Sequence, residues 1–327
     1  MARTPSTLPQ LPCRRLSDSF KTGAGPVAYR RGTAVDGRIK MRIGIGLPAA
    51  VPGVDPRSVG EWAAEAERNG FAAVGVIDRL VYDNLEPLTA LAAAAARTST
   101  VELMTTVLNV GWRNNAVLLA KQLASVDLLS GGRLTAGLGL GGWQDDFAAS
   151  GAAGEGLGAL WDATLDTWRR AWSGELIGAG GPMNQLPADR PTLLFGGLAN
   201  AAHRRAARVG QGWVAPLFGT HTLAQGADAV RRAWQQAGRE GQPRIATGRY
   251  FALGPDADAV ADEYIRHYYG DAYFDHARAD TLTTPDQLTT HLSGLRAAGA
   301  TDVILYPAAA NLVQVELLAD ALGSVSG

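Results

Sequence analysis

From residue 41 onward, short apolar runs alternate with stretches whose apolar residues recur every three or four positions. MRIGIGLP (41–48) opens as a strand. Asp55 and Pro56 read as a helix N-cap followed by proline in the first turn, and Val59, Trp62, Ala63 and Ala66 hold helical spacing until Gly70 closes the helix. AAVGVID (72–78) is the next strand, followed by a helix from Glu86 to Arg97 and the strand VELMTTVLN (101–109). A helix carrying Leu119, Leu123 and Val126 leads into RLTAGLGL (133–140). TLLFGG (192–197), GWVAP (212–216), IATGRYFAL (245–253) and DVILYP (302–307) bring the strand candidates to eight.

Three helix-to-strand joints share a spacing: Gly70 to Val74, Gly210 to Val214 and Gly299 to Val303 each set a glycine four residues before a strand valine. The repetition implies an αβ unit with glycine as the helix stop. The last of these helices opens with Thr284-Pro285-Asp286-Gln287, a capping box, and carries Leu288, Leu292 and Leu295 on one face. Continuous apolar strands joined by helices imply a parallel sheet, and eight such units fit a (β/α)8 barrel better than an open sheet. The connections 142–191, after strand 4, and 254–284, after strand 7, exceed the regular pattern and are expected to carry lids or binding loops.

Charge and composition remove several function classes. Thirty basic against 31 acidic side chains leave a net charge of −1, so there is no basic footprint for a nucleic acid. No run approaches the roughly 18 apolar residues of a spanning helix, so no membrane role is expected and the cytoplasm is the default compartment. Cys13, the single cysteine, rules out an intramolecular disulfide and a cysteine-rich zinc site. Residues 1–40, with Pro5, Pro9, Pro12 and Pro26 and a scatter of arginines, read as a flexible tail ahead of one barrel domain, 41–327. A transit peptide, with Met41 as an alternative start, is the other reading of that segment.

In a barrel, chemistry gathers at the carboxyl ends of the strands, here Pro48, Asp78, Arg79, Asn109, Gly141 to Trp143, Gly196 to Leu198, Pro216 and Tyr306. The five histidines form no HxH or HExxH pair, which disfavours metal hydrolysis, and Lys121 sits on a helix, which disfavours Schiff-base chemistry. Gly137-Leu138-Gly139-Leu140-Gly141-Gly142 departs from the dinucleotide spacing GxGxxG; small residues easing curvature and close approach of a ligand to the backbone are its two readings. Phe195-Gly196-Gly197-Leu198, between strand and helix, is either an anion cradle of exposed N–H groups or an ordinary tight turn. Asp78 is a functional carboxylate, a helix cap or a partner of Arg79. Trp112, Trp143 and Trp213 either wall a flat ligand or pack the core.

Taken together, the opening strand 41–48, GFAAVGVIDR (70–79), LMTTVLN (103–109), LLAKQLASVDLLSGGRLTAGLGLGG (118–142), LLFGG (193–197), GWV (212–214) and TPDQLTTHLSGLRAAGATDVILYP (284–307) resemble the bacterial luciferase-like, flavin-dependent oxidoreductases over residues 41–323. The resemblance implies a barrel that holds reduced FMN or the deazaflavin coenzyme F420 at its carboxyl face. It places a non-proline cis peptide at Val107-Leu108 against the ring. It assigns Asp78, Asn109, Val110, Asp145, Gly196, Gly197 and Ala199 to the cofactor, with the twin glycines taking the phosphate; Val107 and Leu108 of the cis bond and Gly141, Gly142 and Leu198 at the strand ends complete the candidate cofactor residues. Many members carry histidine after the strand-two acid, where this chain has Arg79, and an acid where it has Gly142. Arginine cannot act as a general acid or base near neutral pH, although it can stabilise an anion. Asp78 and Arg79 are the candidate catalytic pair, with Tyr306, water or the substrate as other proton sources. No metal is expected.

The resulting expectation is an oxidoreductase delivering hydride, or activating dioxygen, toward a small organic substrate, under a cover formed by 142–191, and acting as a homodimer through barrel helices. The competing expectation is a flavin-binding or cofactor-free barrel without redox turnover.

Overall fold

Eight parallel strands close into a ring in this computed structural model, which describes residues 41–187, 190–217 and 219–325. The tail 1–40, including Cys13, lies outside the described residues. The strands are β1 (Arg42–Gly46), β2 (Ala73–Val76), β3 (Glu102–Asn109) and β4 (Leu134–Gly139), then a small antiparallel hairpin of β5 (Ile177–Gly178) and β6 (Gly181–Pro182), then β7 (Thr192–Gly196), β8 (Gly212–Val214), β9 (Arg244–Phe251) and β10 (Asp302–Pro307). The hairpin stands apart. The other eight pair in chain order, and β10 closes on β1 with Arg42 opposite Asp302 and Leu305 opposite Ile45. Every strand inferred from the hydrophobic pattern is present to within two residues at each end, and the (β/α)8 barrel is the observed fold.

The helices α1 (Val59–Arg68), α2 (Pro87–Ala95) and α3 (Ala116–Leu129) cover the first strands. After β4, the chain runs through α4 (Gln144–Ser150), α5 (Leu157–Trp172) and the hairpin before rejoining the ring. Then come α6 (Asn200–Val209), α7 (Thr220–Gln236), α8 (Ala257–Tyr269), α9 (Phe274–Ala279), α10 (Pro285–Ala297) and α11 (Val313–Val325). The connection 254–284 is therefore largely helical, and 142–191 carries two helices and the hairpin.

Local chemistry explains the helix ends, with three adjustments. Asp55 caps a 3-10 turn, Pro56–Ser58, by accepting the Arg57 N–H at 3.0 Å, and α1 begins only at Val59. Thr284 accepts the Gln287 N–H at 3.2 Å, but the Gln287 side chain reaches one residue further back, to the Thr283 N–H at 2.7 Å. Gly70 and Gly299 have φ of 77° and 96°, the left-handed conformation of a helix stop, whereas Gly210 is extended. At Gly210 the constraint is space: a Cβ there would lie 2.7 Å from the Phe195 ring.

Outside the ring, strand and helix side chains form one large core that includes Trp62, Leu91, Leu123 and Leu288. Inside it, a second cluster contains Met104, Leu194, Val214, Ala246, Ile304 and Tyr306. Below that cluster, at the amino ends of the strands, sits an ionic layer. Arg244 reaches Glu102 at 2.8 Å and Asp302 at 2.7 Å, and Arg42 reaches Asp302 at 3.2 Å and also bonds Glu102. Two cations and two anions balance. Burial pushes the Glu102 carboxyl up, and the Arg244 and Arg42 guanidiniums overcome it and hold its pKa down at about 2.

Glu102→Gln leaves two buried guanidiniums with one carboxylate, and is expected to cost about 3 kcal/mol in chemical denaturation. Because the folded pKa lies below the unfolded value, the Glu102 contribution is complete above about pH 5 and is lost as the pH falls toward 2. The acid limb of the stability curve should flatten in the variant.

Candidate functional site

At the carboxyl ends of β3, β4, β7, β8 and β9 the ring opens into a cavity of about 480 Å³. Seven glycines among the described residues line it: Gly139, Gly141, Gly142, Gly158, Gly196, Gly197 and Gly248. Its floor is the middle of β3. There Thr105 pairs with Ala136 and Leu108 with Leu138, so two residues, Thr106 and Val107, stand opposite one residue of β4 and bulge into the opening. The non-proline cis peptide is Thr106–Val107, one bond earlier than the expected Val107-Leu108, and it joins the two residues that bulge between Thr105 and Leu108.

The two ends of the cavity differ in character. One is apolar, walled by Val107, Leu140, Pro216 and Leu217. The other is formed by Gly196 to Ala199 and the first turn of α6, whose N-cap, Ala199, has no side chain to satisfy the leading N–H groups. Gly197 turns the chain there with a φ of 109°, and the Trp213 indole N–H donates to its carbonyl at 2.9 Å. Arg205, on α6, adds a guanidinium to the same end and is steadied by Asp162 at 3.3 Å. Helix N–H groups, a helix dipole and an arginine together favour an anion. At Gly196 a Cβ would come within 3.1 Å of the Val107 side chain and 3.3 Å of Leu138 O, so a side chain at this position would crowd the slot. The cavity suits a flat apolar body with an anionic tail.

Beside Arg205, whose guanidinium lies 5.8 Å from the Trp161 ring centroid, aromatic rings run in series. Trp161 stands 5.5 Å from the Phe195 ring and 6.1 Å from Trp168, and Trp168 stands 5.5 Å from Trp172. The long connection after β4 thus contributes to the cavity through Gly158 and Trp161 of α5.

Of the residues assigned to the cofactor from the sequence, Val107, Asn109, Gly141, Gly142, Gly196, Gly197, Leu198 and Ala199 line this cavity. Leu108 and Val110 are buried in the strand–helix core, as strand alternation requires of the neighbours of Val107 and Asn109. Asp145 is exposed in the first turn of α4. Its neighbour Asp146 is the buried one, with 0% side-chain exposure. Thr106, Gly158, Trp161, Arg205, Thr247 and Gly248 line the cavity without having been singled out; the arginines that follow the GG turn in the next helix, Arg204 and Arg205, are the one sequence signal for Arg205.

Asp78 and Arg79 lie beside the cavity rather than among its lining residues. The Asp78 carboxylate accepts the Asn109 N–H at 2.7 Å and the Arg113 guanidinium at 3.0 Å, while the Asn109 side chain donates to Asp78 O at 2.9 Å. Burial pushes the Asp78 carboxyl up, partly offset by Arg113. It ties the end of β3 to the end of β2. The partner of Arg79 is Asp146, at 3.1 Å, which also accepts the Val81 N–H at 2.7 Å. The Arg79 guanidinium lies 3.8 Å from the Trp143 ring centroid, beside Tyr82 and Tyr268. Arg79 thereby fastens α4 to the loop after β2.

Comparison with known proteins places this geometry. The family model of the luciferase-like monooxygenases matches residues 39–313. The F420-dependent glucose-6-phosphate dehydrogenase of Kribbella flavida is 32% identical over 152 residues, 43% of this chain and 45% of that protein. The enzyme of the same description from Gordonia bronchialis is 26% identical over 222 residues, 60% of this chain and 62% of that protein. The chain thus spans less than two thirds of the length of these curated relatives. Among solved structures, monooxygenase RslO1 from Streptomyces bottropensis superposes with a TM-score of 0.69 at 22% identity, over 88% of this chain and 100% of that one. An F420-dependent secondary alcohol dehydrogenase in complex with an F420-acetone adduct gives 0.72 at 16% identity, over 88% and 99%. At these identities the structural likeness is one of fold.

Asp146→Ala should cost about 3 to 5 kcal/mol, because it leaves the Arg79 guanidinium buried and unpaired. Arg79→Met in the same chain should recover part of that loss, and urea denaturation of the four members of the cycle measures the coupling.

Proposed function

The chain belongs to the luciferase-like monooxygenase family, and on that premise we propose that it is an oxidoreductase using reduced FMN or coenzyme F420, held in the barrel mouth, on a small organic substrate. One observation carries the reading: a glycine-lined slot with an apolar wall at one end and an uncapped helix N-terminus plus Arg205 at the other. FMN and F420 both join a flat ring system to a phosphate-bearing chain, the shape and charge order of that slot. The named cofactor of the curated relatives, F420, points the same way.

In this reading Gly196 to Ala199, the first turn of α6 and Arg205 hold the phosphate, and Val107, Leu140 and Leu217 bound the ring. When bound, the cofactor supplies the electrons, as hydride or to dioxygen. The protein contributes orientation and exclusion of water. The Thr106–Val107 bulge shapes the floor, Asp78 fixes the bulged strand through Asn109, and α5 closes one side with Gly158 and Trp161. Asp78 and Arg79 then act on the site by holding β3 and α4 in place. Among the described residues no helix is long and apolar enough to cross a membrane. A cytoplasmic homodimer completes the reading, and the exposed Val117, Leu118, Leu128 and Leu129 of α3 offer it an apolar face.

A second reading, cofactor binding without redox turnover, draws on one feature. Arg205 is the one ionisable side chain among the described residues lining the cavity, and it stands at the anion end. Absorption titration with FMN and with F420 separates the outcomes. Saturation by one of them, with turnover in a panel of alcohols, aldehydes and sulfur compounds, is expected; saturation without turnover favours the second reading, and saturation by neither overturns both. Gly196→Val should abolish the saturation while leaving the circular dichroism spectrum unchanged.

A further inference from the structure

Five of the described residues lining the cavity carry side chains with a polar atom: Thr106, Asn109, Arg205, Thr247 and, on α5 beside Arg205 rather than on the floor, Trp161. Three of them are engaged. The Asn109 amide donates to Asp78 O at 2.9 Å, the Thr247 hydroxyl donates to Pro216 O at 3.4 Å, and Arg205 is paired with Asp162 at the anion end. Thr106 stands on the floor of the cavity, and its hydroxyl is bonded from behind by the Tyr306 phenol.

The barrel is built around that phenol. Tyr306 is 2% exposed and rises from β10 into the centre of the ring. Three strands give way to it. A Cβ on Gly46 of β1 would lie 2.2 Å from the Tyr306 ring, one on Gly75 of β2 would lie 2.8 Å from its hydroxyl, and one on Gly248 of β9 would lie 3.2 Å from the ring. The phenol oxygen is thus fixed by packing. Thr106 is its hydrogen-bond partner among the described residues. A buried O–H without an acceptor is costly, so the phenol must donate to Thr106 Oγ1. That assignment leaves the Thr106 O–H free, with the cavity as the open direction.

We propose that Tyr306 is a positioning residue that turns the Thr106 hydroxyl into the cavity, where Thr106 donates a hydrogen bond to an acceptor atom on the ring system of the redox cofactor. The inference rests on the functional reading above and adds to it the contact that orients the ring, a role that no charged side chain of the cavity floor can fill. A neutral donor aimed at a ring carbonyl or ring nitrogen stabilises charge that gathers there in the reduced form. Tyr306 itself touches no cofactor.

The test is a double-mutant cycle read by cofactor binding, not turnover. The dissociation constant and the absorption maximum of the bound cofactor are measured for wild type, Thr106→Val, Tyr306→Phe and the double variant, using whichever of FMN and F420 the wild type binds. Tyr306→Phe keeps the ring that fills the space beside Gly46, Gly75 and Gly248, and a thermal melt reports whether packing has changed. Thr106→Val should weaken binding about three- to tenfold and shift the absorption maximum. Tyr306→Phe should produce a smaller change of the same sign, and in the Thr106→Val background it should add nothing. Thr106→Ser, which retains the hydroxyl, should restore both readouts to within about twofold of wild type. If Thr106→Val misfolds, Thr106→Ala takes its place.

Unchanged binding and spectrum in Thr106→Val overturn the contact. Equal effects of Tyr306→Phe with and without the Thr106 hydroxyl overturn the positioning role and assign Tyr306 to packing. A wild type that saturates with neither cofactor fails at the functional reading, before the cycle begins.

Discussion

A closed ring of eight strands encloses a narrow space that must be filled from one end to the other, and what fills each level decides where a ligand can enter. Here the lowest level is ionic, with Arg42, Glu102, Arg244 and Asp302 neutralising one another. The middle is apolar, around Met104, Leu194, Ala246 and Ile304. At the top a single large ring, Tyr306, takes the centre while glycines on β1, β2 and β9 recede from it. The remaining opening is displaced toward β3, β4, β7 and β8, where Gly139, Gly141, Gly196 and Gly197 leave the backbone bare. The cavity is therefore a consequence of how the interior is apportioned.

The neighbouring charges serve that arrangement. Asp78 spans two strand ends by taking hydrogen bonds from Asn109 and Arg113, which holds the bulged half of β3 in position. Arg79 is engaged by Asp146 and stacked on Trp143. Its charge is spent on joining α4 to the barrel rim. The rim charge is thus neutralised in a buried ion pair, and the polar groups on the cavity floor are neutral.

Much of the fold could be read from the chain because its determinants are local. Alternating apolar runs and helical stripes located all eight strands, and the positive φ of Gly70 and Gly299 matches their role as helix stops. Gly210 shared the spacing but not the cause, since its neighbour Phe195 comes from a different strand and no local pattern encodes that contact. The cavity was half legible. Residues at strand ends and in glycine turns, such as Asn109 and Gly196, announced themselves by position. Trp161 and Gly158 reach the cavity from a helix inside a long connection, and Thr247 and Gly248 lie mid-strand, so their placement depends on how distant segments fold back. The adjacent pair Asp145 and Asp146 makes the same point at the scale of one residue: helix phase, set by docking against Arg79 and Val81, decides which is buried.

The row of indoles running from the cavity wall into the helical shell has an optical consequence. Trp161 faces the space that an occupant would fill, and Trp168 and Trp172 follow it at ring separations of 6.1 and 5.5 Å. Ultraviolet excitation absorbed anywhere along such a row can migrate toward its cavity end, where a coloured occupant would quench it. With such an occupant in place, the row would act as an emission gauge of occupancy that needs no attached dye.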